Sequence, residues 1–106
     1  MKPDMLAQDI YRVHARIGTR DLFEGIWPLP NGVLLNSYVV QGSRKTALID
    51  LVKDWEGAVD EISDQVKQLG LRLQDIDYLI LNHMEPDHTG SLARMKADNP
   101  RLEILC

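Results

Sequence analysis

The sequence predicts an α/β (α+β) domain, with antiparallel strands followed by helix, strand, helix and strand. Two observations predict this order. Residues 10–52 carry short apolar segments that are separated by turn signals. From Trp55 onward the apolar residues change to a helical spacing, and strand and helix patterns then alternate. Helices that alternate with strands in this way are expected to cover one face of a sheet.

Composition restricts the class of protein. The 106 residues allow one domain with a modest core, and 44% apolar and 26% charged residues are ordinary for a soluble globular chain. A net charge of -4 argues against nucleic acid or an anionic membrane as the partner. No apolar run approaches membrane-spanning length, and the N-terminus lacks an apolar signal core. The single cysteine, Cys106, excludes an internal disulfide, so we expect a cytoplasmic protein.

The first half of the chain is expected to form a meander of strands. Residues 1–8 are predicted to be an unstructured lead-in, and the segment Pro28 to Gly32 is a strong turn signal. His14 lies in the first strand, where a lone histidine is usually at the surface or fully hydrogen-bonded, and we assign it no role. Strands are predicted at residues 10–17, 22–27, 33–40 and 46–52.

Three polar residues lie inside these apolar strands. A buried carboxylate needs a hydrogen-bonding or charged partner. Asp50 is therefore expected either to anchor a loop or to contact the residues that form a functional site. We favour the anchoring role. For Asn36 and Ser37 the same reasoning predicts side chains that are hydrogen-bonded to the backbone.

The second half begins with an amphipathic helix. Its apolar stripe runs from Trp55 to Leu69, with Asp54 as a candidate N-cap and Gly70 as a C-terminal stop. A strand, a short helix and a last strand follow, at residues 77–82, 91–97 and 101–105. That last strand is expected to expose an unpaired edge.

One loop concentrates the chemistry of the chain. It follows the predicted strand 77–82, and four potential metal ligands lie within six residues: His83, Glu85, Asp87 and His88. In extended backbone, alternate side chains point the same way, so the first three can converge on one ion while His88 faces elsewhere. Pro86 stiffens the loop. The alternative is a polar loop that leads into a helix and binds no metal.

Two imidazoles and two carboxylates suit iron, zinc or manganese. Ligands on opposite sides of one loop favour a binuclear site, with ions roughly 3.5–4 Å apart. Each ion needs roughly four to six donors, and the only other histidine is His14. By ligand count alone, the chain supplies about half of such a site.

The H-x-E-x-D-H spacing of these ligands resembles the H-x-H-x-D-H signature of the metallo-β-lactamase superfamily. Glutamate at the second position is the variant found in flavodiiron proteins, also called A-type flavoproteins. The resemblance spans about residues 10–106 and implies a partial metallo-β-lactamase-like αββα sandwich. It also includes, in the family's order, Phe23-Glu24-Gly25, Gly32, Asn36-Ser37-Tyr38, Lys45 to Asp50 and Asn82 to Ser91.

The resemblance implies a diiron site. His83 and Glu85 would bind one iron and Asp87 the other, with His88 as a further ligand that some family members do not use. Glu24 would lie near the metal pocket, behind the ligands. Members of the family reduce O2 to water, NO to nitrous oxide, or both. Their electrons come from FMN in a C-terminal flavodoxin-like domain, supplied by a donor such as rubredoxin, and a head-to-tail homodimer brings one subunit's flavin to the other's irons.

The family's remaining ligands and its FMN domain lie downstream of the matched segments. Residues 1–106 are therefore expected to be a fragment, the N-terminal part of the metallo-β-lactamase-like domain. Two other hypotheses stay open. One is a zinc hydrolase of the same superfamily, which Glu85 disfavours because those enzymes usually carry histidine there. The other is a non-catalytic remnant that keeps the motif without closing the site.

Overall fold

The fold is described from a computed structural model of the chain. The structure describes residues 2–17, 22–23, 27–28, 33–51, 57–82 and 92–105. Its strands are β1 (Asp4–Ala7), β2 (Ile10–Ile17), β3 (Leu22–Phe23), β4 (Trp27–Pro28), β5 (Val33–Gln41), β6 (Thr46–Ile49), β7 (Tyr78–Ile80) and β8 (Glu103–Leu105). Its helices are α1 (Ala58–Gln68), a 3-10 turn (Leu73–Asp75) and α2 (Leu92–Asp98).

Six strands form one mixed sheet in the order β1-β2-β5-β6-β7-β8. The pairs β1–β2, β2–β5 and β5–β6 are antiparallel. The connections from β1 to β2 and from β5 to β6 are short, as antiparallel neighbours allow. The pairs β6–β7 and β7–β8 are parallel, because a helix-containing connection returns the chain to the same edge each time. The predicted order of a meander followed by helix, strand, helix and strand is confirmed.

Two strand predictions were wrong. The predicted lead-in contains β1, which pairs with β2 through a tight turn where Asp9 has a φ of 62°. Pairing with an adjacent strand decides this segment, and its own sequence shows no alternation that would signal it. The predicted strand 22–27 is two short strands, β3 and β4, which pair with each other. Of the turn predicted at residues 28–32, Pro28 lies in β4 and residues 29–32 lie outside the described residues.

Helix α1 begins at Ala58, with Gly57 as its N-cap, whereas the candidate cap Asp54 lies outside the described residues. Its end is as predicted. Gly70 has a φ of 80°, and the amides of Gly70 and Leu71 donate to the carbonyls of Lys67 and Val66. These two bonds form a Schellman motif, for which glycine is the favoured residue.

The helices pack on one face of the sheet. That face contributes Val13, Leu35, Val39, Leu48 and Leu79 to a single core that also contains Val59, Ile62 and Val66 of α1 and Met95 of α2. On the opposite face Leu34 is 42% exposed and Leu105 is 48% exposed. The described residues thus supply one sheet and one helical layer of the expected αββα arrangement. Among them, no helix combines the length and apolar character needed to cross a membrane.

Gln65 of α1 closes an open edge of β2. The β1–β2 pairing ends at Asp4 and Arg12, so no strand of the described part of the chain pairs with the backbone of His14 on that side. The Gln65 side chain fills the gap, because its Oε1 accepts from the His14 amide at 3.0 Å and its Nε2 donates to the His14 carbonyl at 2.6 Å. Gln65 is fully buried, so its carboxamide replaces a neighbouring strand in the core.

Candidate metal centre

The parallel strands bring their carboxyl ends to one edge of the sheet. Ile49, Ile80 and Leu105 are aligned there as partners in the ladder. Ligands of α/β sheets commonly bind beyond this edge. The chain leaves the core between Leu81, which is 3% exposed, and Asn82, which is exposed.

The predicted ligand loop starts one residue after Asn82. The predicted ligands His83, Glu85, Asp87 and His88 lie outside the described residues, as does Glu24. Their assignment as a site therefore stays a prediction, and the structure contributes the frame from which the loop departs.

Asp50 ties β6 to the start of that loop. Its Oδ1 accepts from the Asn82 amide at 2.9 Å and its Oδ2 accepts from the Asn82 Nδ2 at 3.3 Å. Its own amide donates to the Ile80 carbonyl at 2.7 Å. The loop-anchoring role predicted for Asp50 is confirmed. Its partner, Asn82, was not predicted, although an amide side chain at the end of a buried strand was an available signal.

Three other polar side chains at this end of the sheet have buried atoms without a hydrogen-bond partner among the described residues. These atoms are His14 Nδ1, Asn36 Oδ1 and Ser37 Oγ. His14 and Asn36 face each other across β2 and β5, and the β5–β6 register, continued one residue past Tyr38 and Ile49, places Ser37 level with Asp50.

The expectation of complete hydrogen bonding does not hold for these three atoms. His14 is only 9% exposed and its Nδ1 is unpaired in the described part of the chain, so it is neither a surface nor a fully bonded residue. Asn36 and Ser37 do not anchor the backbone through those atoms. Ser37 lies on the face that the helices cover, whereas His14 and Asn36 lie on the opposite face, since they alternate with Val13 and Leu35.

One charged pair lies close to His14. Asp4 Oδ2 is 3.8 Å from His14 Nδ1 and accepts a hydrogen bond from Arg12 Nε at 3.0 Å. The hydrogen bond from Arg12, with the positive charge of that guanidinium, holds the pKa of the Asp4 carboxyl below its usual value of 3.8. The carboxylate therefore stays ionised and paired through the neutral range.

The donor set of the loop fits iron chemically. Imidazole nitrogen and carboxylate oxygen are ligands that iron accepts, and no thiolate is needed. The described residues themselves contain no cluster of three or more His, Cys, Asp or Glu side chains that could hold a metal.

Comparison with known proteins identifies the fold family. A sequence profile of the metallo-beta-lactamase superfamily matches residues 31–100. A flavo-diiron protein from Clostridium acetobutylicum is 36% identical over 84 residues, which are 79% of this chain and 20% of that protein. The anaerobic nitric oxide reductase flavorubredoxin of Vibrio vulnificus is 33% identical over 95 residues, 85% of this chain and 18% of that protein.

Among solved structures, rubredoxin oxygen:oxidoreductase from Desulfovibrio gigas superimposes with a TM-score of 0.80 at 26% identity. The match covers 97% of this chain and 25% of that one. The chain thus spans about a fifth of the length of the curated relatives above.

The chain belongs to the metallo-beta-lactamase superfamily. The sheet, the helical layer and the profile match define that class. Within it, the chain is a relative of the flavodiiron proteins and corresponds to part of their lactamase-like region. The αββα expectation and the recognition of flavodiiron proteins from the H-x-E-x-D-H spacing are both confirmed.

Proposed function

We propose that this chain is the N-terminal part of the metallo-β-lactamase-like domain of a flavodiiron oxidoreductase that reduces O2, NO or both. The observation that carries the proposal is the donor set His83, Glu85, Asp87 and His88, in which glutamate takes the second ligand position. The chain that contains it is similar to flavodiiron proteins. The Asp50–Asn82 anchor at the edge where the loop begins supports it.

His83 and Glu85 are proposed to bind one iron and Asp87 the other, with His88 as the fourth residue of the set. Glu24 is proposed to contact the ligands rather than the metal. Bound iron would supply electrons and a binding position for O2 or NO. The chain's own residues hold the metal: the carboxylates lower the net charge of the site, and hard oxygen donors stabilise the oxidised ion.

Four donors are too few for two ions, each of which needs roughly four to six. We propose that the other donors, and an FMN-binding domain that delivers the electrons, come from elsewhere in the protein. Residues 1–106 alone would then bind metal without catalysing the reaction. The proposal includes a head-to-tail homodimer, because the flavin must approach the iron for electron transfer. It also includes a cytoplasmic location and a rubredoxin-like electron donor.

An anaerobic metal titration of the 106-residue chain tests the ligand assignment. Wild type is expected to bind Fe(II), and His83→Ala and Asp87→Asn are each expected to weaken binding at least about tenfold, since each removes a direct donor. His14→Gln is the matched control, because it removes the one histidine outside the loop. Equal Fe(II) binding by all four proteins would refute the assignment.

The reaction class is tested on the protein purified from its natural host. Iron and FMN in the purified protein, with consumption of O2 or NO by the reduced form, are expected. Stoichiometric zinc with hydrolase activity, and no flavin, would overturn the proposal in favour of a zinc hydrolase.

A further inference from the structure

One face of the sheet carries no helix of the described residues. Val39, Leu48 and Leu79 lie on the face that α1 and α2 cover, and the residues next to them along each strand lie on the opposite face. We call this second surface the open face. Its centre consists of two rows of register partners on β5, β6 and β7: Tyr38, Ile49 and Ile80 in one, and Val40, Ala47 and Tyr78 in the other.

The open face is apolar and uncharged at its centre. The six side chains of the two rows are half-buried, and none of them carries a charge. The rows continue outward to Ile10 and Leu105, which are large apolar side chains that remain exposed. In the described part of the chain, charged side chains on this face come from β1, β2 and β8 alone. A contiguous apolar surface of this kind often marks a contact with another molecule.

The open face is large enough for a weak interface. Its six strands are three to nine residues long. With strands about 4.8 Å apart and residues about 3.3 Å apart, the face covers roughly 500 Å². Two such faces in contact would bury roughly 1,000 Å² in total, which is near the lower limit for a specific interface between proteins. Association through this face is therefore expected to have a dissociation constant in the micromolar range.

The layer order indicates what covers this face. The described residues form one helical layer and one sheet of an αββα arrangement. A second copy stacked on the open face would supply the other sheet and the other helical layer in the right order. Sheets of similar twist pack on each other at about −30°, and two copies have the same twist. In a two-fold dimer the same patch forms both sides of the contact, so the uncharged centre meets no opposing charge.

We propose that the open face is a self-association surface, through which two copies of residues 1–106 pack sheet against sheet around a two-fold axis. Tyr38, Ile49 and Ile80 form the centre of this interface, with Ile10 and Leu105 at its rim. The inference goes beyond the proposed function, because it needs neither the metal ligands nor any residue outside the described part of the chain. In a longer form of the protein, any further sheet that packs on this face would compete with the second copy.

Sedimentation equilibrium of the metal-free 106-residue chain tests the proposal. Wild type is expected to change from monomer to dimer as its concentration rises through the micromolar range. Ile49→Lys places two unpaired lysines at the centre of the dimer, one from each copy, and is expected to raise the dissociation constant at least about tenfold. A wild-type chain that stays monomeric up to millimolar concentration would overturn the proposal.

Met5→Lys is the matched control, because it makes the same change of charge away from the open face. Met5 is 70% exposed, and its register partner Tyr11 packs against the core on the helix-covered face. The dissociation constant of Met5→Lys is expected to stay within about twofold of wild type, as for an ordinary surface substitution. Equal weakening in Ile49→Lys and Met5→Lys would contradict a contact through the open face.

Leu105→Lys keeps the test decisive if Ile49→Lys does not fold. Leu105 is already exposed, so lysine there should leave the monomer folded, which circular dichroism checks. Loss of this apolar rim contact is expected to raise the dissociation constant about threefold. With Ile49→Lys unfolded, equal dissociation constants for Leu105→Lys and Met5→Lys would overturn the proposal.

Methyl and amide NMR spectra of wild type, recorded over a dilution series, locate the contact. The methyl signals of Ile49 and Ile80 are expected to shift with concentration, whereas that of Met5 is expected to stay fixed. A shift confined to the Ile104 amide would indicate pairing through the outer edge of β8, and would overturn packing of face on face. Because no metal is present, failure of the proposed metal site leaves this result unaffected.

Discussion

Replacing Gln65 with leucine should destabilise the fold far more than an ordinary single substitution. Leucine matches glutamine in size, but it cannot bond the His14 amide and carbonyl, which Gln65 holds at 3.0 and 2.6 Å. Each buried backbone group left unpaired costs roughly 1–3 kcal/mol. Burial of the more apolar side chain recovers about 1–2 kcal/mol. The two groups together cost roughly 4 kcal/mol at mid-range, so the expected net loss is about 2.5 kcal/mol.

Urea unfolding followed by circular dichroism measures that loss. With an m-value of about 1.5 kcal/mol/M for a chain of this size, the midpoint should fall by roughly 1.7 M. Gln74→Leu is the matched control, because Gln74 is exposed, and it should change stability by less than about 0.5 kcal/mol. Hydrogen exchange at the His14 amide should accelerate only in Gln65→Leu. A midpoint for Gln65→Leu within about 0.3 M of wild type would refute the role of Gln65 as an edge cover.

Two further predictions concern stability. Gly70→Ala should cost about 1–2 kcal/mol from backbone strain alone, because Gly70 has a φ of 80° and a Cβ there meets no atom within 4 Å. Gly42→Ala should also lower stability in urea unfolding, because its Cβ would lie 2.8 Å from the Lys45 carbonyl oxygen. A variant at either position that is as stable as wild type would contradict these expectations. The pKa of Asp4 is lowered in the folded chain by its hydrogen bond from Arg12, so its contribution to stability is present above the unfolded pKa near 3.8 and is lost as pH falls through the lower folded value. Asp4→Asn should flatten the pH dependence of thermal unfolding below about pH 4, and an unchanged profile would show that the pair contributes nothing.

The features that could be predicted from the sequence are those that a local pattern of residues determines. The periodicity of α1, the stop at Gly70 and the strand before the ligand loop all follow from spacing or from the conformational preferences of single residues. The family followed from the ligand spacing, because that chemistry is specified by residue type rather than by packing.

What the sequence could not predict depends on distant pairing. The strand character of Asp4–Ala7 comes from its pairing with β2. In the sequence, Gln65 looks like an ordinary helical residue, because its hydrogen-bond partner, His14, lies 51 positions earlier in the chain. Similarly, nothing local distinguishes a bonded Ser37 from one whose Oγ is buried without a partner among the described residues. These features arise from tertiary contacts that no local window contains.

The most direct test of the central claim is metal competition at position 85. The claim is that residues 83–88 form an iron-binding half-site of the flavodiiron type, in which Glu85 replaces the histidine of zinc hydrolases. Fe(II) and Zn(II) dissociation constants would be measured anaerobically for wild type and Glu85→His.

Zinc binds most sites more tightly than Fe(II), so the informative quantity is the ratio of the two affinities. A carboxylate-to-imidazole change should lower the affinity for Fe(II) relative to Zn(II) by about tenfold, because it exchanges a hard oxygen donor for a softer nitrogen donor. We expect that shift in Glu85→His. An unchanged ratio, with binding that does not depend on residue 85, would contradict it.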